Sequence, residues 1–221
     1  MGSITRSFAN NIGSSGILTA SAVTNATVED ITSFDNAASN ATLVLLSTQT
    51  ASASANISFT TGLDSTYDEY IFKFIDIHPA TANQRFQFNM STDGGSNYNV
   101  TKTSTFFLAY HNEADGDTTL GYDTAEDLAQ STAFQNLFYS TGNGADESGA
   151  GTLTLFNPAS TTYVKHFIAT TNNYRGDIVY SYNNYIAGYG NTTSAVNAIQ
   201  FKFASGNIDD GVIKLYGVKK S

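Results

Sequence analysis

Residues 196–218 read VNAIQFKFASGNIDDGVIKLYGV and contain two runs in which apolar and polar side chains alternate. In the first run, Ile199, Phe201 and Phe203 fall on one side. Because a strand turns successive side chains to opposite faces, each run predicts a strand with one buried face. Between the runs, residues 205–211 are rich in residues that favour turns. We interpret the stretch as a β-hairpin and predict that the other alternating runs are strands beside or opposite it.

The composition of the chain is typical of a β protein. Its 221 residues suit one all-β domain, and 41% of them are hydrophobic. Only 13% are charged, against about 25% in an average globular protein. The chain has no cysteine, which excludes a disulfide framework and thiolate sites. The fold therefore depends on packing and strand pairing alone.

The charge and hydropathy of the chain limit its partners. Its formal net charge is −9 and its isoelectric point is about 4.5, so we expect no nucleic-acid binding, which requires clustered Lys and Arg. No apolar run approaches the roughly 20 residues of a membrane-spanning helix, and we expect no membrane insertion. Residues 1–11 lack the apolar segment of a secretory signal. We therefore expect a protein without an export signal.

The first 50 residues differ from the rest of the chain. They are small and polar with few aromatics, and residues 42–46 are the first convincing apolar run. Such a segment gains too little from burial to order itself, so it is either a floppy terminus or an arm that orders on a partner. We predict an extended assembly arm over residues 1–50. Its candidate anchoring residues are Ile4, Phe8, Ile12, Ile17 and Leu18.

Residues 51–221 are predicted to form a single β-sandwich or jelly roll of about ten antiparallel strands. The longest strand is predicted at residues 67–77, and residues 84–91 should form another with Phe86, Phe88 and Met90 inward. Residues 112–151 are ambiguous. We favour a long surface connection with one strand there over a short helix.

The histidines and acids offer no recognisable catalytic constellation. The three histidines, His78, His111 and His166, have no carboxylate partner in sequence and no zinc-ligand spacing. His166 should lie on the same strand face as Val164 and Ile168. A sugar-degrading enzyme would need paired carboxylates in a groove, and a sequence does not reveal which of the 19 acids converge. We expect no enzymatic activity and no cofactor.

One acidic loop is a candidate calcium site. Asp115, Asp117 and Asp123 supply the carboxylate oxygens that calcium prefers. The loop does not match the EF-hand spacing, and acidic surface loops of acidic proteins are usually only solvated. We therefore expect no metal site, and these three residues are the single candidate.

Four tyrosines near the end of the chain are the candidate platform for a ligand or an interface. Tyr180, Tyr182, Tyr185 and Tyr189 lie in a run with asparagine amides. Flat aromatic faces beside amides suit sugar rings, and tyrosines also suit protein interfaces. The alternative is a strand whose Ile178, Tyr180 and Tyr182 pack in a core.

Several motifs resemble those of virion structural proteins from tailed phages of marine bacteria. The motifs are YDEYIFKF at 67–74, FQFN at 86–89, STDGGSNY at 91–98, AIQF at 198–201 and GVIKLYG at 211–217. The resemblance covers about three quarters of the chain and does not extend to residues 1–50. It implies a β-sandwich that usually self-associates, and it assigns no catalytic residue.

These observations lead to two expectations. The first is a non-enzymatic virion component, assembled in the host cytoplasm, that docks on capsid or tail proteins through its arm. It would associate with itself, as a homotrimer, through aromatic residues on one face of the sandwich. The second is a carbohydrate-binding or host-receptor-binding module of a tail fibre or virion appendage, with a host surface glycan as its ligand.

Overall fold

The computed structural model describes residues 42–175 and 177–220, and these residues form twelve β-strands and no helix. The predicted all-β fold is confirmed. The strands are β1 (Leu43–Thr50), β2 (Ile57–Phe59), β3 (Glu69–Pro79), β4 (Phe86–Ser91), β5 (Lys102–Asn112), β6 (Thr118–Tyr122), β7 (Gln135–Asn136), β8 (Gly149–Phe156), β9 (Lys165–Arg175), β10 (Tyr180–Gly190), β11 (Ala198–Phe203) and β12 (Ile208–Val218).

The strands form two antiparallel sheets of unequal size, which make a β-sandwich. The larger sheet has eight strands in the order β1-β12-β3-β8-β9-β10-β5-β6, and the smaller has four in the order β2-β11-β4-β7. Every pairing between these strands is antiparallel. Because four strands cannot cover eight, part of the larger sheet's inner face lies beyond the smaller sheet.

The core between the sheets is largely aromatic. Phe72 and Phe74 of β3 meet Phe201 of β11 with ring centroids 5.2 and 5.3 Å apart. Further along, Phe88 of β4 meets Phe167 of β9 at 5.1 Å with nearly perpendicular rings. Such edge-to-face pairs add to the stabilisation that burial itself provides. All five side chains are buried, and for Phe88 and Phe201 the alternation of the sequence correctly predicts the buried face.

The C-terminal stretch is not a hairpin, which corrects the prediction. Strand β11 pairs with β2 and β4 in the smaller sheet, whereas β12 pairs with β1 and β3 in the larger sheet. Residues 204–207 connect them, and extended residues at about 3.3 Å each can span the roughly 10 Å between packed sheets. Gly206, with φ of 75°, and Asn207, whose side chain donates to the Ala53 carbonyl, stabilise this crossing.

The sheet begins earlier than predicted. Strand β1 (Leu43–Thr50) pairs with β12 from Leu43↔Val218 to Thr50↔Val212, with one irregularity in register. These eight residues belong to the larger sheet, which corrects the predicted boundary between residues 50 and 51. The strand is only half-buried at its apolar positions. Strand β1 is ordered by backbone pairing with β12. The composition of the segment does not reveal this pairing.

The ambiguous region contains more strand than predicted. Residues 112–151 contain β6, which pairs with β5, and the two-residue β7, which pairs with β4. Strand β8 also begins there, at Gly149. Leu137 and Phe138 follow β7 and are fully buried. The segment therefore contributes to the core, and none of it is helical.

Two buried lysines lie on the inner face of the larger sheet, on either side of Gly190. Lys102 on β5 and Lys165 on β9 both pair with Gly190 of β10, and both are fully buried. The Lys102 ammonium donates to Asn89 Oδ1 at 2.6 Å and to the Val100 carbonyl at 2.8 Å. Neither acceptor carries a formal charge. Burial lowers the pKa of Lys102 to about 7 and also lowers the pKa of Lys165.

This burial predicts that stability rises with pH from about 7 to 9. The pKa of Lys102 is about 7 when folded and about 10.4 when unfolded, so the unfolded state binds more protons in that interval. The free energy of unfolding should then rise, by at most about 1.4 kcal/mol per pH unit for one such group. Below pH 7 Lys102 is protonated in the folded state, so the full cost of burying its charge lowers the free energy of unfolding.

Urea unfolding across this pH range measures the effect. Lys102→Met removes one titrating group and should reduce the rise, with Lys165 left to contribute the remainder, whereas Lys220→Met, at an exposed position, should keep the wild-type profile. A wild-type profile that does not rise, or that the Lys102 substitution leaves unchanged, would show that burial does not depress the pKa of Lys102.

Candidate binding surfaces

The tyrosine run is divided between the two faces of the larger sheet. In β10 the even-numbered side chains point inward and the odd-numbered ones outward, as the burial pattern shows. Tyr180 and Tyr182 therefore face inward, and Tyr185 and Tyr189 face outward. The four tyrosines do not form one platform, which corrects the prediction. Each pair belongs to a different surface.

The outer pair lies within an aromatic cluster. Tyr185 stacks on Phe107 of β5 with centroids 4.9 Å apart and planes within 10°. Its hydroxyl accepts a hydrogen bond from the Asn183 amide at 2.8 Å. At the other end of the strand, Tyr189 lies 6.1 Å from the His166 ring. Phe107 is 41% exposed, although it is a large apolar side chain.

This outer surface carries no formal charge. We define the outer face as the outward side chains of β8, β9, β10 and β5, which together include no Lys, Arg, Asp or Glu. Ile168, in the middle of β9, is 53% exposed. Ala187 of β10 pairs with Ile168 of β9 on one side and with Thr105 of β5 on the other. Its side chain is small, and a depression of about 440 Å³ lies at this position. Charge depletion with exposed aromatics is typical of the core of a protein interface.

The inner pair lines a separate cavity at the end of the sheet near β6. We define the tyrosine cavity as the space of about 370 Å³ lined by Leu108, Tyr110, Thr119, Gly121, Tyr122, Asp123, Tyr139, Ile178, Tyr180 and Tyr182. Tyr180 and Tyr182 lie nearly parallel, 24° apart. Tyr110 meets Tyr180 at 80°, and Tyr139 lies 5.0 Å from Tyr182. The rings therefore form two walls at a steep angle.

The surroundings raise the pKa of two phenols of the cavity, Tyr180 and Tyr182. Tyr180 donates its hydroxyl to the Asp117 carboxylate, which raises the pKa of Tyr180 to about 12. Burial raises the pKa of Tyr182. Among the described residues, no hydrogen bond involves the hydroxyl of Tyr110 or Tyr139. Within residues 42–175 and 177–220, these two hydroxyls therefore have unused hydrogen-bonding capacity.

A buried ion pair supports the wall behind Tyr139. Glu126, only 2% exposed, accepts hydrogen bonds from Arg85 Nε at 2.7 and 2.9 Å and from the Asn136 amide. Arg85 Nη2 lies 2.7 Å from Glu126 Oε1, and the Arg85 guanidinium lies 5.4 Å from the Tyr139 ring. The hydrogen bond to the Glu126 carboxylate raises the pKa of Arg85. The pair fixes the position of the Tyr139 ring.

The candidate calcium ligands serve other roles. Asp115 lies 3.0 Å from His111 Nε2, Asp117 accepts from Tyr180, and Asp123 accepts from the Ala125 backbone amide. Within residues 42–175 and 177–220, no group of three or more His, Asp or Glu side chains is placed to hold a metal ion. The structure does not bring the three carboxylates together.

The histidines are separated from one another. His166 shares the outer face with Ile168, as predicted from alternation, and is exposed. His78 Nδ1 lies 2.5 Å from the Glu147 carbonyl oxygen. In the described part of the chain, the one ion pair of a histidine with a carboxylate is His111 with Asp115, and both side chains are largely exposed. An exposed pair of this kind lacks the buried carboxylate of a catalytic triad.

Sequence reasoning missed three of the residues that define these surfaces. They are Phe107 of the outer cluster and Tyr110 and Tyr139 of the cavity. Alternation along β5 could have indicated Phe107, because Phe106 and Phe107 are adjacent and cannot both point inward. The predicted arm residues, Ile4, Phe8, Ile12, Ile17 and Leu18, lie outside the described residues.

Comparison with models of known protein families, with curated proteins and with solved structures finds no match to this chain. In the described part of the chain there is also no helix of the length and hydropathy needed to cross a membrane. The case for a function therefore depends on the geometry of the two surfaces and on the sequence motifs.

Proposed function

We propose that this protein is a non-enzymatic structural component of a tailed-phage virion, and that its copies associate through the outer face. The observation that carries the proposal is the absence of charge on the outer face of a chain whose net charge is −9. The acids lie outside this set of side chains, and Asp115 reaches one end of the face through its contact with His111. Four neighbouring strands therefore present an uncharged surface of hydroxyls, amides and exposed aromatic rings, which two copies can bury without desolvating a charge.

The partner for this face is a second copy of the chain. Two copies of a chain with a net charge of −9 repel each other, and the outer face is a surface whose own side chains bring no acids into contact. Four strands of about ten residues, spaced about 4.8 Å apart, cover about 600 Å². A stable interface buries about 800 Å² per partner, so the outer face supplies most of that area.

The virion assignment has separate support. The motifs at residues 67–74 and 211–217 resemble those of marine phage structural proteins, and they correspond to β3 and β12, which pair in the larger sheet. Docking on the capsid or tail is assigned to the arm. The expected symmetry is a trimer, in which the outer face of each copy packs against a different surface of its neighbour.

Particle incorporation tests the proposal. Deleting residues 1–40 leaves every described strand in place, so the shortened protein should fold with an unchanged thermal unfolding midpoint. It should be lost from phage particles purified from infected cells, as measured by mass spectrometry of the particles. The full-length protein is the control and should be retained. Absence of the full-length protein from particles, or normal incorporation of the shortened one, would contradict the proposal.

A further inference from the structure

We infer that the tyrosine cavity is a binding site for a neutral saccharide. The cavity lies on the inner side of the larger sheet, opposite the outer face, so the inference goes beyond self-association and leaves both surfaces free to act together. Its lining comes from β5, β6, β10 and connecting segments, and none of the lining residues belongs to a strand of the smaller sheet. Among the described strands, those of the smaller sheet therefore do not line this part of the inner face.

The dimensions of the cavity suit a small ligand. Its volume of about 370 Å³ falls within the range of about 300–1,000 Å³ that is typical of small-molecule sites. Gly121 contributes no side chain to the wall. A Cβ added there would have Thr119 Cγ2 as its neighbour, at an ordinary contact distance of 3.7 Å. A Cβ at position 121 therefore fits beside Thr119.

The chemistry of the walls selects the class of ligand. The nearly parallel rings of Tyr180 and Tyr182 and the steeply angled Tyr110 offer flat apolar faces on two sides. Such faces suit the C–H faces of a pyranose ring, and phenol hydroxyls at the rim suit its hydroxyl groups. The hydroxyls of Tyr110 and Tyr139 have no partner among the described residues, so each can donate to a sugar oxygen without breaking an existing bond.

The charges around the cavity disfavour an anionic ligand. Asp123 lines the wall, and Asp117 lies beside it in contact with Tyr180. Two arginines near the tyrosines, Arg85 and Arg175, are each already paired with a carboxylate. A carboxylated or phosphorylated sugar would meet like charge without compensation, which is unfavourable at close range. A neutral sugar avoids this cost, and Asp123 can accept hydrogen bonds from its hydroxyls.

Ligand-observed NMR on the full-length protein tests the inference. The probes are methyl glucoside, methyl galactoside, methyl mannoside, N-acetylglucosamine and cellobiose, with glucuronic acid as the anionic comparison. At least one neutral probe should show saturation transfer from the protein, and glucuronic acid should show none. Lack of transfer to every neutral probe, or a preference for the acid, would overturn the inference.

Two variants in the cavity and one control variant outside it identify where the sugar binds. Gly121→Val should narrow the cavity beside Thr119 and weaken saturation transfer while keeping the thermal unfolding midpoint, because a Cβ fits there and valine favours a strand. Tyr110→Ala should weaken binding about tenfold, the equivalent of about 1.4 kcal/mol. Tyr163→Ala, at a 70% exposed tyrosine outside the cavity, is the control and should bind as the wild type does. Unchanged binding by Gly121→Val would place the site elsewhere and overturn the inference.

Discussion

Replacing Phe201 with alanine is expected to lower the free energy of unfolding by about 3–5 kcal/mol, the usual cost of truncating a buried phenylalanine. Phe201 is fully buried in β11, and its ring meets rings from both sheets. The neighbours are Phe59, Phe72, Phe74, Phe86 and Phe88, with centroids 5.2 to 6.4 Å away. The cavity left by truncation would lie between rigid sheets, which cannot easily close around it.

Urea unfolding of Phe201→Ala and Phe107→Ala at low protein concentration measures the difference. Phe107 is also a strand phenylalanine in an aromatic contact, but it is 41% exposed on the outer face. Its truncation should cost less than about 1.5 kcal/mol, because it leaves no buried cavity and loses mainly one aromatic pair. Similar losses for the two variants would mean that Phe201 does not join the two sheets.

Glu126→Gln is expected to destabilise the fold by about 2–3 kcal/mol. The substitution keeps the size of the side chain but leaves the Arg85 guanidinium without its buried counterion. Removing one partner of a buried pair typically costs about 3–5 kcal/mol. The figure here is lower because Arg85 is partly exposed, 39% by side-chain area, and water can solvate part of its charge.

The matched control is Asp177→Asn in the more exposed pair with Arg175, which should cost about 1 kcal/mol or less in urea unfolding. Arg85→Met combined with Glu126→Gln should recover part of the loss, because it removes the uncompensated charge. If Glu126→Gln costs no more than Asp177→Asn, the Arg85–Glu126 pair does not stabilise the fold as a buried pair.

The alternation in the sequence predicts which side chains are buried but not which sheet holds them. Ile199, Phe201, Phe203, Ile213 and Leu215 are all buried, as the alternation predicts. The hairpin prediction was nevertheless wrong, because a short connection rich in turn formers serves equally for a hairpin and for a crossing between sheets. The strands that pair with β11 and β12 lie far away in the sequence, and the residues of the two runs do not specify them.

The binding surfaces show the same limit. The odd and even positions of β10 already divide Tyr180 and Tyr182 from Tyr185 and Tyr189, and strict use of the two-residue period would have separated them. The rest of the cavity was beyond prediction. Its other tyrosine walls belong to a strand and a connection distant from β10 in sequence, and only the fold brings them to one place.

Under the two proposals, the larger sheet has two roles. The outer face, uncharged and aromatic, is assigned to contact between copies, and the tyrosine cavity on the inner side is assigned to a neutral saccharide. A virion protein that uses both would display several saccharide sites on one assembly. Linked sites bind a repetitive surface more tightly than single sites do, because the second contact becomes intramolecular.

The native mass of the full-length protein, measured by light scattering behind a sizing column over a wide range of concentration, tests the central claim most directly. We predict a closed oligomer for the wild type and a monomer for Ile168→Lys, which places a charge in the outer face at an exposed position. Ala55→Lys adds the same charge beside the smaller sheet and should keep the wild-type mass. A monomeric wild type at every concentration, or an Ile168→Lys variant that keeps the oligomer, would contradict self-association through the outer face.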